Sequence, residues 1–354
     1  MLSHDHSAAL QAQVQAAIQA RTPLRLVGGN SKAFYAVAGN AQQTLALAEH
    51  RGIISYEPSE LVLQVRAGTL LSDINALLAE HGQMLAFEPP QFAPSATIGG
   101  TLACGFSGPR RPFAGSARDF VLGCRLLNGR GELLQFGGQV MKNVAGFDVS
   151  RLVVGALGQL GVLLDVSIRV QPCAQSELTL RYPCPDATSA IQRMQQWQAQ
   201  PLPLSALAYD QQHIWLRLSG APAAVTAAAA TLGAAAEPAD TAFWLKLREQ
   251  QLDFFQQQSA LWRISVAPAT PPLALAGECL LEWGGAQRWL CSSAPAATIH
   301  AAAQAHGGHA VCFRGPDKTD WIRFEPAVLA LQQRLRLAFD PQQLFNPGRF
   351  HPEL

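Results

Sequence analysis

The sequence predicts an α+β protein of two domains, and three observations carry that reading. Its 354 residues exceed what one hydrophobic core usually serves. Up to Pro172, strand-like runs mix with amphipathic helical stretches, and the part from Phe120 onward is mostly β. After Pro172, strand-like runs alternate with Ala- and Gln-rich helical stretches, which suits helices packed on one face of a sheet. The first domain is expected over residues 1–173, in two lobes of about 1–85 and 86–173. An α+β domain built on an antiparallel sheet follows over 174–324, and 325–354 return to the first domain.

The elements follow in order. Leu10, Val14 and Ile18 recur at helical spacing, so the N-terminal stretch reads as an amphipathic surface helix. "PLRLV" (Pro23 to Val27) is a short strand running into Gly28 and Gly29. "GIISYEP" and "LVLQVRAG" are strands. In "TLLSDINALLAEHG", Thr69 is placed to cap a helix and Gly82 to end it. "FVLGCRLLNGRGELLQFGG" is a hairpin about Asn128-Gly129, and "LGVLLDVSIRVQP" is a strand ended by proline. Beyond it, "SELTLRYP", "HIWLRLSG", "LWRISVA", "GECLLEWGG" and "GHAVCFRG" are strands. Ala221 to Ala236 and Ala294 to Ala305 are helices, and the tail is a helix followed by a proline-punctuated segment.

Composition excludes several function classes. Net charge is +1 with no basic block, which argues against binding nucleic acid through a charged face. No apolar run is long enough to span a bilayer, and the first twenty residues lack the basic start and apolar core of a secretory signal. Seven cysteines, none in a CxxC pair, fit reduced, mostly buried thiols in the cytoplasm. Neither a zinc nor an iron–sulfur site is expected within this chain.

Three stretches carry chemistry. In "LVGGNSK", Gly28 and Gly29 allow a tight turn with outward amides, and Asn30, Ser31 and Lys32 add polarity and charge. Taken alone this reads as a plain strand-to-helix turn, and it is not the GxGxxG dinucleotide fingerprint. "QFAPSATIGGTLACGFSG" (Gln91 to Gly108) offers hydroxyls on Ser95 and Thr97, backbone at Ile98, Gly99 and Gly100, and close approach at Gly105 and Gly108. Ile98, Leu102 and Phe106 anchor it at intervals, so it is a shaped loop rather than a linker. "KNVAGFDVSRLVVGALGQLGVLLDVSIRV" sets Lys142, Asn143, Asp148 and Arg151 among apolar residues ahead of a Gly-rich turn and a strand.

Together these stretches resemble the vanillyl-alcohol oxidase / para-cresol methylhydroxylase type of FAD-binding fold. The second is similar to that family's P-x-S-x-T-I-G-G segment. The third is similar to its K-N-V-x-G-(Y/F)-D and G-x-L-G-(V/I) segments. "LFNPGRF" (Leu344 to Phe350) is similar to its closing (L/I)-F-N-P-G. The resemblance covers about Pro23 to Pro172 plus the tail. It implies a two-lobed FAD domain, and a second domain capping the isoalloxazine edge. It implies that Gly28, Gly29, Asn30, Ser31 and Lys32 hold the FAD pyrophosphate. Pro94, Ser95, Ala96, Thr97 and Ile98, with Gly99, Gly100, Gly105 and Ser107, would line the rest of the cofactor. Gly161 and Val162 would lie by the adenine side. The family's first loop often bears a His that attaches FAD covalently; here it has neither His nor Cys, so non-covalent FAD is expected.

Within the family, the short chain and "GPRRPFAGSARDFVLG" (Gly108 to Gly123) are most similar to the FAD-binding subunits of bacterial glycolate-oxidising complexes. That likeness implies two partners, a larger FAD subunit and an iron–sulfur subunit. It implies a small 2-hydroxyacid substrate, and membrane association only through partners. One departure stands out. The larger subunits' relatives carry an HxGxGxxH-like motif, whereas His300, His306 and His309 are spaced differently and have no acidic companion. No catalytic residue is assigned. Arg110, Arg111, Lys142, Arg314 and Lys318 are candidates to grip a carboxylate, or are solvated charges. All seven tryptophans follow residue 196 and suit either core or a partner interface. Two other readings stay open: a free-standing FAD-dependent 2-hydroxyacid dehydrogenase, and a partner-binding subunit whose flavin is structural or absent.

Overall fold

The computed structural model describes residues 4–41, 43–138, 148–233, 235–316 and 318–354. Lys142 and Asn143 lie outside them. The chain divides into two compact units, one of residues 1–107, 115–172 and 324–354, the other of 108–114 and 173–323.

The first unit opens with α1 (Ser7–Ala20) and β1 (Leu24–Val27), which pairs in parallel with β2 (Gln43–Ala46). Next come β3 (Ile53–Glu57), β4 (Val62–Arg66), α2 (Leu71–Glu80), the two-residue strand β5 (Gln83–Met84) and α3 (Ile98–Cys104). The single turn α4 (Arg111–Ala114) belongs to the second unit. The first resumes with α5 (Ala117–Phe120), β6 (Val121–Leu127), β7 (Leu133–Gly137), α6 (Val149–Leu152), β8 (Val162–Arg169) and β9 (Gln171–Pro172). Its antiparallel sheet has the order β3-β4-β8-β6-β7. Thus β3 and β4, expected in the first lobe, share a sheet with strands of the second. β4 carries Leu63 and Val65, both fully buried, and it covers β8 where β8 would otherwise be an edge.

Two local expectations change. Thr69 does not cap α2; its hydroxyl accepts the Gly52 amide at 2.8 Å, tying β3 to the turn after β4. The β6–β7 connection is five residues long rather than a two-residue turn, and the positive φ falls on Gly131 (76°). A Cβ on Gly129 would come within 2.3 Å of Asp340 Oδ1, so that glycine serves close packing. The α1 face of Leu10, Val14 and Ala17 packs with Leu24, Leu45 and Leu164, closing a core across the β1-β2 pair and the five-stranded sheet.

The second unit holds β10 (Ser176–Pro183), α7 (Ala187–Gln198), β11 (Leu204–Tyr209), β12 (His213–Gly220), α8 (Pro222–Leu232) and the short β13 (Glu237–Pro238). It continues with α9 (Ala242–Arg248), β14 (Ala260–Ser265), β15 (Glu278–Glu282), β16 (Gln287–Ser292), α10 (Ala296–Gln304) and β17 (His309–Arg314). These strands form one sheet, β13-β10-β12-β11-β15-β16-β14-β17, antiparallel throughout. Helices α7 and α8 pack Ile191, Met194, Val225 and Ala228 onto Leu207, Leu216 and Leu281 of one face. Six tryptophans are buried here, whereas Trp215 is half-buried and stacks on Phe243 at 3.9 Å. The chain then re-enters the first unit through α11 (Pro326–Phe339). No described helix is long and apolar enough to cross a membrane.

Candidate functional site

β1 delivers the first loop. Its alternate amides face the C-terminal segment: Leu24 N–H donates to Leu344 O at 2.7 Å and Leu26 N–H to Asn346 Oδ1 at 2.9 Å. Gly28 continues that alternation and lines a cleft. The amides of Gly28, Gly29, Asn30 and Ser31 have no acceptor among the described residues. Asn30 adopts φ 56°, and Arg25 donates to its side-chain oxygen at 3.1 Å. Ser95 Oγ donates to Gly29 O at 2.6 Å, and a Cβ on Gly29 would sit 1.4 Å from Ser95 O. The two loops are therefore closed against each other at a point where only glycine fits. Lys32 is buried, its ammonium 3.2 Å from Ser31 Oγ and 3.3 Å from Gln91 O.

The cleft has two connected ends sharing Gly28, Thr97, Gly100, Leu157 and Asn346. One end, about 540 Å³, is bordered by the 28–32 loop with Arg25, Cys104 and Arg349. Burial, and then the nearby Arg25, push the Arg349 guanidinium below its ordinary value, while Cys104 opposes them. The other end, about 600 Å³, is apolar, walled by Leu47, Leu126, Val153 and Leu160 with Gly161 at its margin.

Not every sequence candidate faces this space. Thr97 lies at the junction as the N-cap of α3, its hydroxyl accepting Gly100 N–H at 3.3 Å. Ile98 N–H donates to Thr69 O at 2.9 Å and Gly99 N–H to Ala67 O at 2.8 Å, so both amides already serve the scaffold. A Cβ on Gly99 would meet Ala67 Cβ at 2.6 Å, whereas one on Gly100 would meet only Thr97 Oγ1, at 3.3 Å. Ala96 and Ile98 are core residues and Pro94 is exposed. Gly105 ends α3 with φ 66° against Gly155, and Ser107 Oγ accepts Ala117 N–H at 2.9 Å. Val162 is fully buried in the α1 core, away from the cleft that Gly161 borders. Asp148 caps α6. Arg25, Leu157, Asn346 and Arg349 were not singled out from sequence. The "LFNPGRF" motif was the available signal for the last two.

In the second unit, three of the carboxylate candidates are engaged. Arg110 pairs with Glu177, Arg314 donates to Gln250 Oε1 at 2.7 Å, and Lys318 donates to Phe313 O at 3.1 Å. His300 is buried with Nε2 3.0 Å from Asp320 O, and His306 and His309 are exposed. Among the described residues no group of three His, Cys, Asp or Glu could hold a metal.

Comparison with known proteins gives the class first. Residues 3–137 match the family model described as an FAD binding domain. An alkyldihydroxyacetonephosphate synthase structure superposes with TM-score 0.67 at 14% identity, over 97% of this chain and 75% of that one, which shows a shared fold. The chain is an FAD-binding oxidoreductase-family protein of the para-cresol methylhydroxylase type. It is 47% identical over 352 residues to glycolate oxidase subunit GlcE of Escherichia coli K12, covering 99% of each chain, and it belongs to that subunit family. Glycolate oxidase subunit GlcD of Bacillus subtilis is 29% identical over 36% of this chain and 27% of its own length. A D-lactate dehydrogenase of Anaerostipes hadrus is 26% identical over 53% of this chain and 38% of its own.

The residues present suit FAD. Four uncommitted amides beside the Arg25, Lys32 and Arg349 cations match a pyrophosphate in donor chemistry. The adjoining leucine- and valine-walled end matches an adenine in polarity.

Proposed function

We propose that this chain is the FAD-binding subunit of a complex that oxidises glycolate to glyoxylate, its flavin passing electrons towards an iron–sulfur subunit. The observation that carries this reading is the 47% identity to GlcE over the full length of both chains. That likeness reaches past residue 137, where the FAD-domain match ends, and so includes the second unit.

In this reading the 28–32 loop takes the pyrophosphate on its amides, with Arg25 and Arg349 balancing its charge. Thr97 and Gly100 border the bend of the cofactor, and Gly161 the adenine end. Ala96, Ile98, Gly105, Ser107 and Val162 hold the cradle's shape rather than touch the ligand, while Gly99 lines the apolar end. Pro94 and Ser95 close the neighbouring loop. The bound flavin would supply acceptance of the two electrons lost as the hydroxy acid becomes the oxo acid. Attachment is non-covalent, because the loop lacks His and Cys. A larger flavin subunit and an iron–sulfur subunit are the partners, and any membrane association of this cytoplasmic chain runs through them.

The test is the visible spectrum of the chain purified alone and again with its partners, before and after anaerobic glycolate. Flavin bands released by acid, with bleaching only in the complex, are expected. Bleaching of the isolated chain would replace this reading with a free-standing 2-hydroxyacid dehydrogenase, to which the D-lactate dehydrogenase likeness points. No flavin bands after incubation with FAD would overturn both.

A further inference from the structure

One face of the eight-stranded sheet carries α7 and α8 on Leu207, Tyr209, Leu216 and Leu281. Alternation turns Trp215, Glu278 and Leu280 to the opposite face. There α9 lays Phe243 flat on Trp215, the two rings 3.9 Å apart and 3° from parallel. Its Trp244 Nε1–H donates to Thr179 Oγ1 at 3.0 Å on the same face. A single turn of 3-10 helix (Asp253–Gln256) sits further along, its Phe255 ring 5.7 Å from that of Trp289. Between α9 and this turn a groove of about 1120 Å³ opens over the sheet.

Buried Phe243 and Leu280, with half-buried Trp215 and Phe254, give the groove its apolar lining. Four carboxylates border it, Asp210, Asp240, Asp253 and Glu278, against one ammonium, Lys246. Three of the acids are held in place by the fold. Asp210 accepts His213 N–H and Trp215 Nε1–H, both at 2.7 Å; Asp240 accepts Ala242 N–H at 2.9 Å; Glu278 accepts Gln257 Nε2–H at 2.6 Å. Asp253 and Lys246 are exposed, and neither side chain has a polar partner among the described residues. Opposite Trp215 on β10, Arg181 is already paired with Glu237 at 3.1 Å, so it does not offset the acids. Nor do the acids converge on a point: among the described residues no group of three His, Cys, Asp or Glu could hold a metal ion. The volume also exceeds the roughly 300–1,000 Å³ of a small-molecule pocket. The rim at Asp240, Asp253 and Glu278 is exposed, so a chain can enter from solvent.

We propose that this groove docks an arginine-bearing segment of a partner polypeptide. A guanidinium is planar, so it stacks on an indole or phenyl face while its N–H groups reach carboxylates at the rim. Spaced acids round an aromatic floor suit several such side chains along one strand of polypeptide, and the segment's charge relieves the repulsion among the acids. That the partner is another subunit of the complex rests on the function proposed above; the groove's preference for arginine does not.

The probe is a fluorescein-labelled peptide of alternating Gly and Arg, titrated into the full chain and read by anisotropy. It is expected to bind, and to bind more weakly as salt rises. A Gly/Lys counterpart, which lacks the planar stack, binds about threefold more weakly. Asp253→Asn and Glu278→Gln, both at exposed positions, each weaken the Arg peptide about threefold, and Lys246→Gln tightens it about twofold. Trp215→Leu weakens it about fivefold. Glu80→Gln, in the first unit, leaves binding unchanged. Unaltered affinity in the three charge variants, or equal binding of the Arg and Lys peptides, overturns the proposal. Spermidine that displaces the peptide at equal concentration would assign the groove to a small polyamine and overturn it too. In the reconstituted complex, Asp253→Lys combined with Glu278→Lys is expected to lower co-elution of the other subunits about tenfold; full retention overturns their assignment as the partner. Flavin absorbance of the same samples separates the two readings. Flavin without a peptide response sinks this groove alone; a peptide response without flavin supports the groove and sinks the flavin-subunit reading.

Discussion

Gly29 and Gly100 border the same cleft, but substitution at each meets a different obstacle. A side chain at Gly29 would enter the Ser95 carbonyl and force the two loops apart, whereas one at Gly100 meets only a hydroxyl at a tight but tolerable distance. Gly29→Ala is therefore expected to lower flavin retention at least tenfold, and Gly100→Ala less than threefold, on the scale of a displaced against an intact loop. The ratio of flavin to protein after gel filtration reads both. Equal retention would mean that the loop can relax without losing the ligand. The same contrast shows what sequence exposes. Gly28 to Lys32 announce a turn, and their amides do border the cleft. Gly99 lines the cleft, and its missing side chain also makes room for Ala67. Glycine spacing cannot say which neighbour a glycine makes room for. Arg25 was illegible because a single arginine in a strand has no pattern, whereas Arg349 stood inside the LFNPGRF motif.

Among the elements, the C-terminal segment works as a latch. Asn346 adopts φ 45°, accepts Leu26 N–H through Oδ1, and donates through Nδ2 to Leu157 O at 2.7 Å. It joins β1, the Gly-rich turn before β8, and the tail. Asn346→Ala leaves a buried amide and carbonyl unpaired, and about 2–4 kcal/mol of stability is expected to be lost, measured by urea unfolding. Asn346→Asp keeps the acceptor and is expected to cost less. A second tie is ionic. Asp5 lies 3.0 Å from Arg66, while Arg125 and His50 contact Asp165 at 2.5 and 3.2 Å. His50 Nδ1 accepts His6 N–H, which leaves the proton on Nε2, facing Asp165. Hydrogen bonding to Ser7, with Arg66 and Arg125, holds the Asp5 carboxyl at about 2, below its ordinary 3.8. The folded pKa is the lower one, so this contribution is present above 3.8 and lost as pH falls towards about 2. Asp5→Asn should lower the unfolding midpoint at pH 7 and match the parent near pH 2; a constant gap would place the effect elsewhere. Strands show where periodicity fails. β11 and β16 were not predicted because all six residues of each are buried, which erases the alternation that marked β10 and β12.

At the scale of the molecule, a change of style in the sequence sets the expected boundary near residue 173 and the return near 325, and the compact units change over at 173 and 324. The assignment of 108–114 to the second unit was not readable there. That segment, "GPRRPFA", has no periodicity, and its place follows from the Gly108 carbonyl and the Arg111 guanidinium meeting Trp283. A chain ending at Asp340 is expected to lose more than its tail. Without Leu344 and Asn346, β1 has no partner on its second side. The 28–32 loop then loses its anchor, and such a chain should fail to retain flavin and should expose the first unit to trypsin. A stable, flavin-bearing truncation would show that the latch is dispensable.

The distance along the chain between β1 and that latch has a consequence for biosynthesis. Leu26 and Asn346 are separated by 320 positions. While the ribosome is still adding residues, the 28–32 loop has left the exit tunnel but its strand β1 has no latch to close against. The second unit, whose residues 108–114 and 173–323 have all been made by then, can complete itself first. Translation order and folding order thus run in opposite directions, and the first unit stays unlatched until Leu344 and Asn346 have been made.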